Sequence, residues 1–166
     1  MNLPPVQQSK LSGSEKLLIL TIGLGLLHHL DHVLRVDHSG YPFISQVTPF
    51  TCSLLVYPVL LSVFLTRSFP WYRVIAVASV FLFTQTAHIF LETPADQYST
   101  WAYGVSHFSN TLGQPNLLHL ASPLMAVYAV VLSLGLSVSM IATLISLIQE
   151  ALANKKIQDG NEQEQH

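Results

Sequence analysis

The spacing of charges constrains this chain more than any other feature. A helix crossing a bilayer needs about 20 mostly apolar residues to cover a hydrocarbon core roughly 30 Å thick. The charged residues are placed so that four such segments fit between them, and no charge interrupts the stretch from His38 to Thr66. The composition agrees: of 166 residues, 50% are hydrophobic and 10% are charged, against about 25% charged in ordinary soluble domains. The expected fold is an all-α membrane protein, a bundle of four transmembrane helices.

The predicted spans cover about 17–36, 43–66, 71–92 and 116–150 within one transmembrane domain, 15–153. Ser12 and Ser14 are candidate caps for the first span, and its apolar run from Leu17 to Leu27 passes straight into His28 without a cleavage pattern, so it reads as a retained signal anchor. Pro49 and Pro58 predict kinks in the second span, and Pro70 suits the start of the third. The fourth segment, continued to about Ala153, exceeds the membrane thickness and predicts a projecting end. The connection 93–115 reads as a loop with at most an interfacial helical turn, and the tail 154–166 as a disordered segment broken at Asp159-Gly160-Asn161. Trp71, Tyr72, Tyr98, Trp101 and Tyr103 read as interfacial anchors, and Ser133, Gly135, Ser137 and Ser139 as a close-packing stripe.

Lys10 and Lys16 precede the first span, Arg67 and Arg73 flank the second connection, and Lys155 and Lys156 follow the last span, whereas the long third connection has no Lys or Arg. The positive-inside rule then places the N-terminal segment 1–14 and the C-terminus in the cytoplasm, with Arg35 as the one dissenting charge. A plasma or inner membrane is the expected location, with lipid and either another membrane protein or a second copy as the expected partners. A net charge of -2 supplies no basic field for nucleic acid. The single Cys52 excludes an internal disulfide and any thiolate metal framework within one chain. Phosphate loops, dinucleotide fingerprints and nucleophile elbows are absent from the sequence.

What remains is a gathering of histidines. With the predicted topology, seven of the eight lie on the outer side: His28, His29, His32, His38, His88, His107 and His119. His28 and His32 are four residues apart and share one helix face with Thr21, Gly25 and Arg35, a polar stripe suited to face protein rather than lipid. Gln85, His88 and Glu92 form a second stripe, and Asn116 and His119 a third at the start of the fourth span. Ionisable groups within a membrane are costly, of order 2.5–3.5 kcal/mol at a helix centre, so such a cluster requires pairing, water or a metal.

Neutral imidazoles with a carboxylate suit Zn, Fe or Cu. The candidate metal ligands are His28, His32, His88, Glu92 and His119, with His29, Asp31, Gln85 and Asn116 orienting them from outside. Asp31 is also placed to pair with Arg35, its neighbour one turn on. Haem held by two of the histidines is the alternative cofactor, in a membrane electron-transfer subunit. A third reading is a non-enzymatic assembly or structural protein whose polar cluster only holds the helices together. The string His28-His29-x-x-His32 looks like one histidine box of the membrane-bound di-iron desaturases and hydroxylases, but it covers five residues and the other boxes are missing, so no assignment follows. No substrate or reaction is legible in the sequence.

Overall fold

The computed structural model describes residues 10–35, 47, 49–104, 116, 118 and 120–163. The described residues form six helices and no strand: α1 Gly13–Arg35, α2 Pro49–Ser53, α3 Val56–Leu65, α4 Pro70–Phe90, α5 Pro94–Tyr103 and α6 Pro123–Gln163. Three of them, α1, α4 and α6, are long and apolar enough to cross a membrane. Among the described residues Phe50–Leu65 is a shorter apolar helix; residues 43–46 and 48 of the expected second span lie outside the described residues.

Each long helix starts where local chemistry satisfies its free N–H groups. Ser12 caps α1: its hydroxyl accepts from the Glu15 N–H at 3.3 Å while the Glu15 carboxylate accepts the Ser12 N–H at 3.0 Å. This reciprocal pair satisfies two donors at once. Pro70 opens α4 as expected, occupying a position where no N–H is needed. The second segment is interrupted ahead of Pro58. Without an N–H, Pro58 cannot bond the Leu54 carbonyl, which accepts instead from Tyr57 N–H at 3.3 Å, and the chain turns at Leu54-Leu55 between α2 and α3.

Two elements depart from the sequence reading. The connection expected as a loop contains α5, capped by the Thr93 hydroxyl, which accepts from Asp96 N–H at 3.2 Å. It closes at Gly104 in the left-handed conformation (φ 67°), which glycine adopts without penalty. Trp101 on α5 is not an interfacial anchor: it is fully buried beside Ala126 and Ala129 of α6, while Tyr103 is exposed. The last helix starts at Pro123 rather than near Asn116 and continues to Gln163, through the segment expected to be disordered. A single Gly160 costs a helix only about 1 kcal/mol, too little to stop one built from Lys, Gln, Ile and Leu.

The polarity is that of a chain in hydrocarbon. Leu27, Leu30, Ile75, Leu82, Phe90, Leu124, Val131 and Val138 face outward, while Thr21, His28, Asp31, Arg35, Gln97, Ser133, Ser139 and Thr143 are buried. The α1–α6 seam is held by hydroxyls: Thr21 Oγ1 donates to Ser139 Oγ at 3.2 Å and lies 3.1 Å from Thr143 Oγ1. Helices in lipid gain little from hydrophobic burial between themselves, so close packing and interhelical hydrogen bonds hold them. Leu18, Val63, Val77, Met140 and Leu147 form the apolar core below.

Charge collects at both ends of the bundle. At the end where α1 begins, Glu15 is buried and paired with Arg67 at 2.6 Å, with Arg73 3.8 Å away. Arg73 also bonds Glu150 at 3.1 Å, and Ser14 donates to Glu150 at 2.7 Å. The other end carries the histidines.

Candidate metal centre

His28 and His32 stand one turn apart on α1, and His88 stands near the end of α4. Glu92 follows just beyond the α4 C-cap, where the chain leaves the helix and its carboxylate folds back among the imidazoles. One ligand atom from each of His28, His32 and Glu92 lies within 4.8 Å of the others. His32 Nε2 is 3.1 Å from Glu92 Oε2. The His28 ring lies edge-on to His32 at a centroid separation of 4.8 Å and to His88 at 4.9 Å. His88 Nδ1 is 3.9 Å from Glu92 Oε2.

His28 is the anomalous member. It is 4% exposed, and among the described residues neither Nδ1 nor Nε2 has a hydrogen-bond partner. An unsatisfied buried polar group costs about 1–3 kcal/mol, and native structures carry few of them without a reason. Metal–nitrogen and metal–oxygen bonds of about 2.0–2.2 Å allow ligand atoms to be at most about 4.4 Å apart. The three donors therefore need only small side-chain rotations to close on one ion.

Glu92 is 3% exposed and is the hub of the surrounding network. Its Oε1 accepts from Arg35 Nη1, and its Oε2 accepts from Gln97 Nε2 at 3.2 Å. Arg35 also bonds Asp31 Oδ2 at 2.6 Å, and the second Asp31 oxygen accepts from the Trp101 indole N–H at 2.8 Å. Gln97 Nε2 is also 3.3 Å from His88 Nδ1, within reach of donating to it. Two carboxylates surround one guanidinium here. Two His rings, His32 and His88, also approach Glu92, so the carboxylate is shared between a guanidinium and the imidazoles.

The remaining sequence-predicted residues divide clearly. Asp31 forms the expected ion pair with Arg35 and reaches no imidazole through a described hydrogen bond. His29 turns from the cluster toward α2 and α3: Nε2 meets Ser53 Oγ at 2.8 Å, and Nδ1 lies 3.0 Å from Gly25 O and 2.7 Å from Tyr57 Oη. With both nitrogens engaged, His29 supports the α1–α3 contact rather than orienting a ligand. Gln85 donates to Ser137 Oγ at 3.0 Å and serves the α4–α6 seam. Asn116 is buried but shapes its own turn, accepting the Leu118 and Leu120 N–H groups at 3.1 Å each. His119, like His38 and His107, lies outside the described residues.

Gln97, Trp101, Tyr57 and Ser53 were not among the sequence candidates for the site. The signal for the first two was present in Thr93-Pro94-Ala95-Asp96, a hydroxyl cap, a proline at the first helical position and an acid in the first turn. Once α5 is a helix, Gln97 and Trp101 fall four residues apart on one face and turn together toward Glu92 and Asp31.

Comparison with protein-family models, with curated proteins and with solved structures finds no match to this chain.

Proposed function

We propose that this chain is an integral membrane protein that binds one transition-metal ion at the histidine end of its helix bundle, with His28, His32 and Glu92 as ligands and His88 packed beside them. The single observation behind this reading is the buried His28 ring, both of whose nitrogens lack partners while two further donors lie within 4.8 Å. A metal would satisfy one of those nitrogens and bind the Glu92 carboxylate in one step. The donor set of imidazoles and one carboxylate favours Zn, Fe or Cu. Three protein ligands leave a fourth position for water or substrate, the arrangement of catalytic rather than closed structural sites.

The surrounding residues hold the ligands in place. Arg35 and Gln97 fix the two Glu92 oxygens, and Gln97 also lies against His88. Such outer contacts set ligand orientation and basicity. Lys10, Lys16, Arg67, Lys155 and Lys156 all belong to the opposite end of the chain's long helices, so on the positive-inside rule the metal end faces away from the cytoplasm.

The test is elemental analysis and a visible spectrum of protein purified in detergent. About one equivalent of Zn, Fe or Cu, lost in His28→Ala, supports the reading. An intense haem band would instead support a haem protein. Metal-free native protein whose His28→Ala variant merely melts earlier would leave a structural polar network in its place.

A further inference from the structure

Beside the imidazoles the bundle holds a cavity of about 570 Å³, inside the roughly 300–1,000 Å³ range of small-molecule sites. Its two ends differ in chemistry. His28, His32, His88 and Glu92 line one end, with the Tyr57 hydroxyl nearby; Leu60, Val80, Leu136 and Met140 line the rest. The long dimension follows from helix geometry: eight residues of α4 separate Val80 from His88, about 12 Å at 1.5 Å per residue. The lining therefore runs about 12 Å from a mostly apolar end to a donor-rich tip.

The cavity opens sideways. Phe83, Phe90 and Leu91 of its lining are 45%, 70% and 37% exposed, and Cys52 on α2 is exposed at the same rim. In a bilayer this side meets lipid tails rather than water. An apolar void loses dispersion contacts along every wall, and a hydrocarbon chain restores them where water would not. The anionic Glu92 at the tip disfavours a free carboxylate lying alone against it, whereas a carbonyl oxygen fits the open position of a metal.

We infer that the cavity seats one long acyl chain, entering between α2 and α4, with its tail against Leu60, Leu136 and Met140 and its carboxyl-derived oxygen at the histidine cluster. The position of the oxygen rests on the metal reading above; the seat for the tail does not. The acyl chain has two sources with the same chemistry, a free fatty acid and an esterified membrane phospholipid.

The experiment uses the full chain in phosphatidylcholine nanodiscs, with either palmitic acid carrying a diazirine near its methyl end or phosphatidylcholine carrying the same acyl group. After photolysis, labelled residues are mapped by mass spectrometry and metal is quantified in the same samples. The expected result is labelling of Leu60, Leu136 or Met140, which are 3%, 8% and 2% exposed and out of reach of bulk lipid. Val80→Phe, which fills the apolar end, is expected to reduce that labelling at least tenfold with unchanged metal content. The probe that labels these positions identifies the source. Labels confined to outward residues such as Leu82 and Val138 in both proteins would overturn the inference. Should Val80→Phe fail to fold, the native chain still decides: labelling of Leu60, Leu136 or Met140 by either probe supports the seat, and labelling of none of them by both probes overturns it. Deep labelling in metal-free protein would sink the metal reading and leave the acyl seat standing; bound metal without deep labelling would do the reverse.

Discussion

The Trp101 indole N–H donates to Asp31 Oδ1 at 2.8 Å, joining α5 to α1 between two side chains that are 0% and 3% exposed. This bond connects a short polar helix to the ion pair that supports Glu92, because the other Asp31 oxygen holds Arg35 and Arg35 holds Glu92. The candidate centre is thereby braced by a helix that supplies none of its three closest donors.

Trp101→Phe keeps the ring volume in part and removes the donor. It leaves an Asp31 oxygen buried without its bond, a loss of about 1–3 kcal/mol. Thermal melting in detergent is expected to show a clear drop for Trp101→Phe and little change for Tyr103→Phe, whose ring is 67% exposed.

His28→Gln and His29→Gln separate ligand from scaffold. His28 has free buried nitrogens facing two donors, whereas both His29 nitrogens are committed to protein. Elemental analysis is expected to show metal lost from the first variant and retained in the second. Retention in both would remove His28 from the site.

Arg35 and Glu92 predict a compensating pair. Arg35→Met leaves Asp31 and Glu92 as neighbouring buried acids without their shared cation, and breaking a buried pair in this way costs about 3–5 kcal/mol. Glu92→Gln alone leaves Asp31 matched to Arg35, so its effect on melting is expected to be smaller while metal is lost. Melting of the double variant is expected to recover part of the Arg35→Met loss; strictly additive losses would mean that the two side chains do not share one charge network.

At the opposite end, Arg73 is 6% exposed and the Arg67 side chain is 44% exposed, although both approach Glu15. Exposed ion pairs contribute about 0–1 kcal/mol, and removal of a buried partner costs several times more. Arg73→Gln is therefore expected to lower the melting temperature well beyond Arg67→Gln, and only the Arg67 effect is expected to shrink in high salt.

Much of the architecture was legible because membrane helices declare themselves by length and charge spacing. The spans around Leu17, Trp71 and the long last helix follow from apolar runs that need no tertiary information. The facing stripe Thr21, Gly25, His28, His32 and Arg35 followed from helical period alone, and the structure buries all of it but His32, which is half-buried. The Asp31–Arg35 pair followed from i,i+4 spacing. The break ahead of Pro58 followed from its missing N–H, whereas α5 was missed because a short polar helix has no hydrophobic period to reveal it.

The sequence alone determined which side chains are able to ligate or pair, and which helical face each occupies, since those depend only on residue type and on a fixed rise and rotation per residue. Tertiary structure decided which of these side chains meet. Glu92 and His88 approach His28 and His32 because α4 and α1 pack against the common partner α6, while His29, one step of about 100° around the same helix, turns to Tyr57 and Ser53. Contacts between residues 60 or 70 positions apart depend on how whole helices dock, and no local period encodes that.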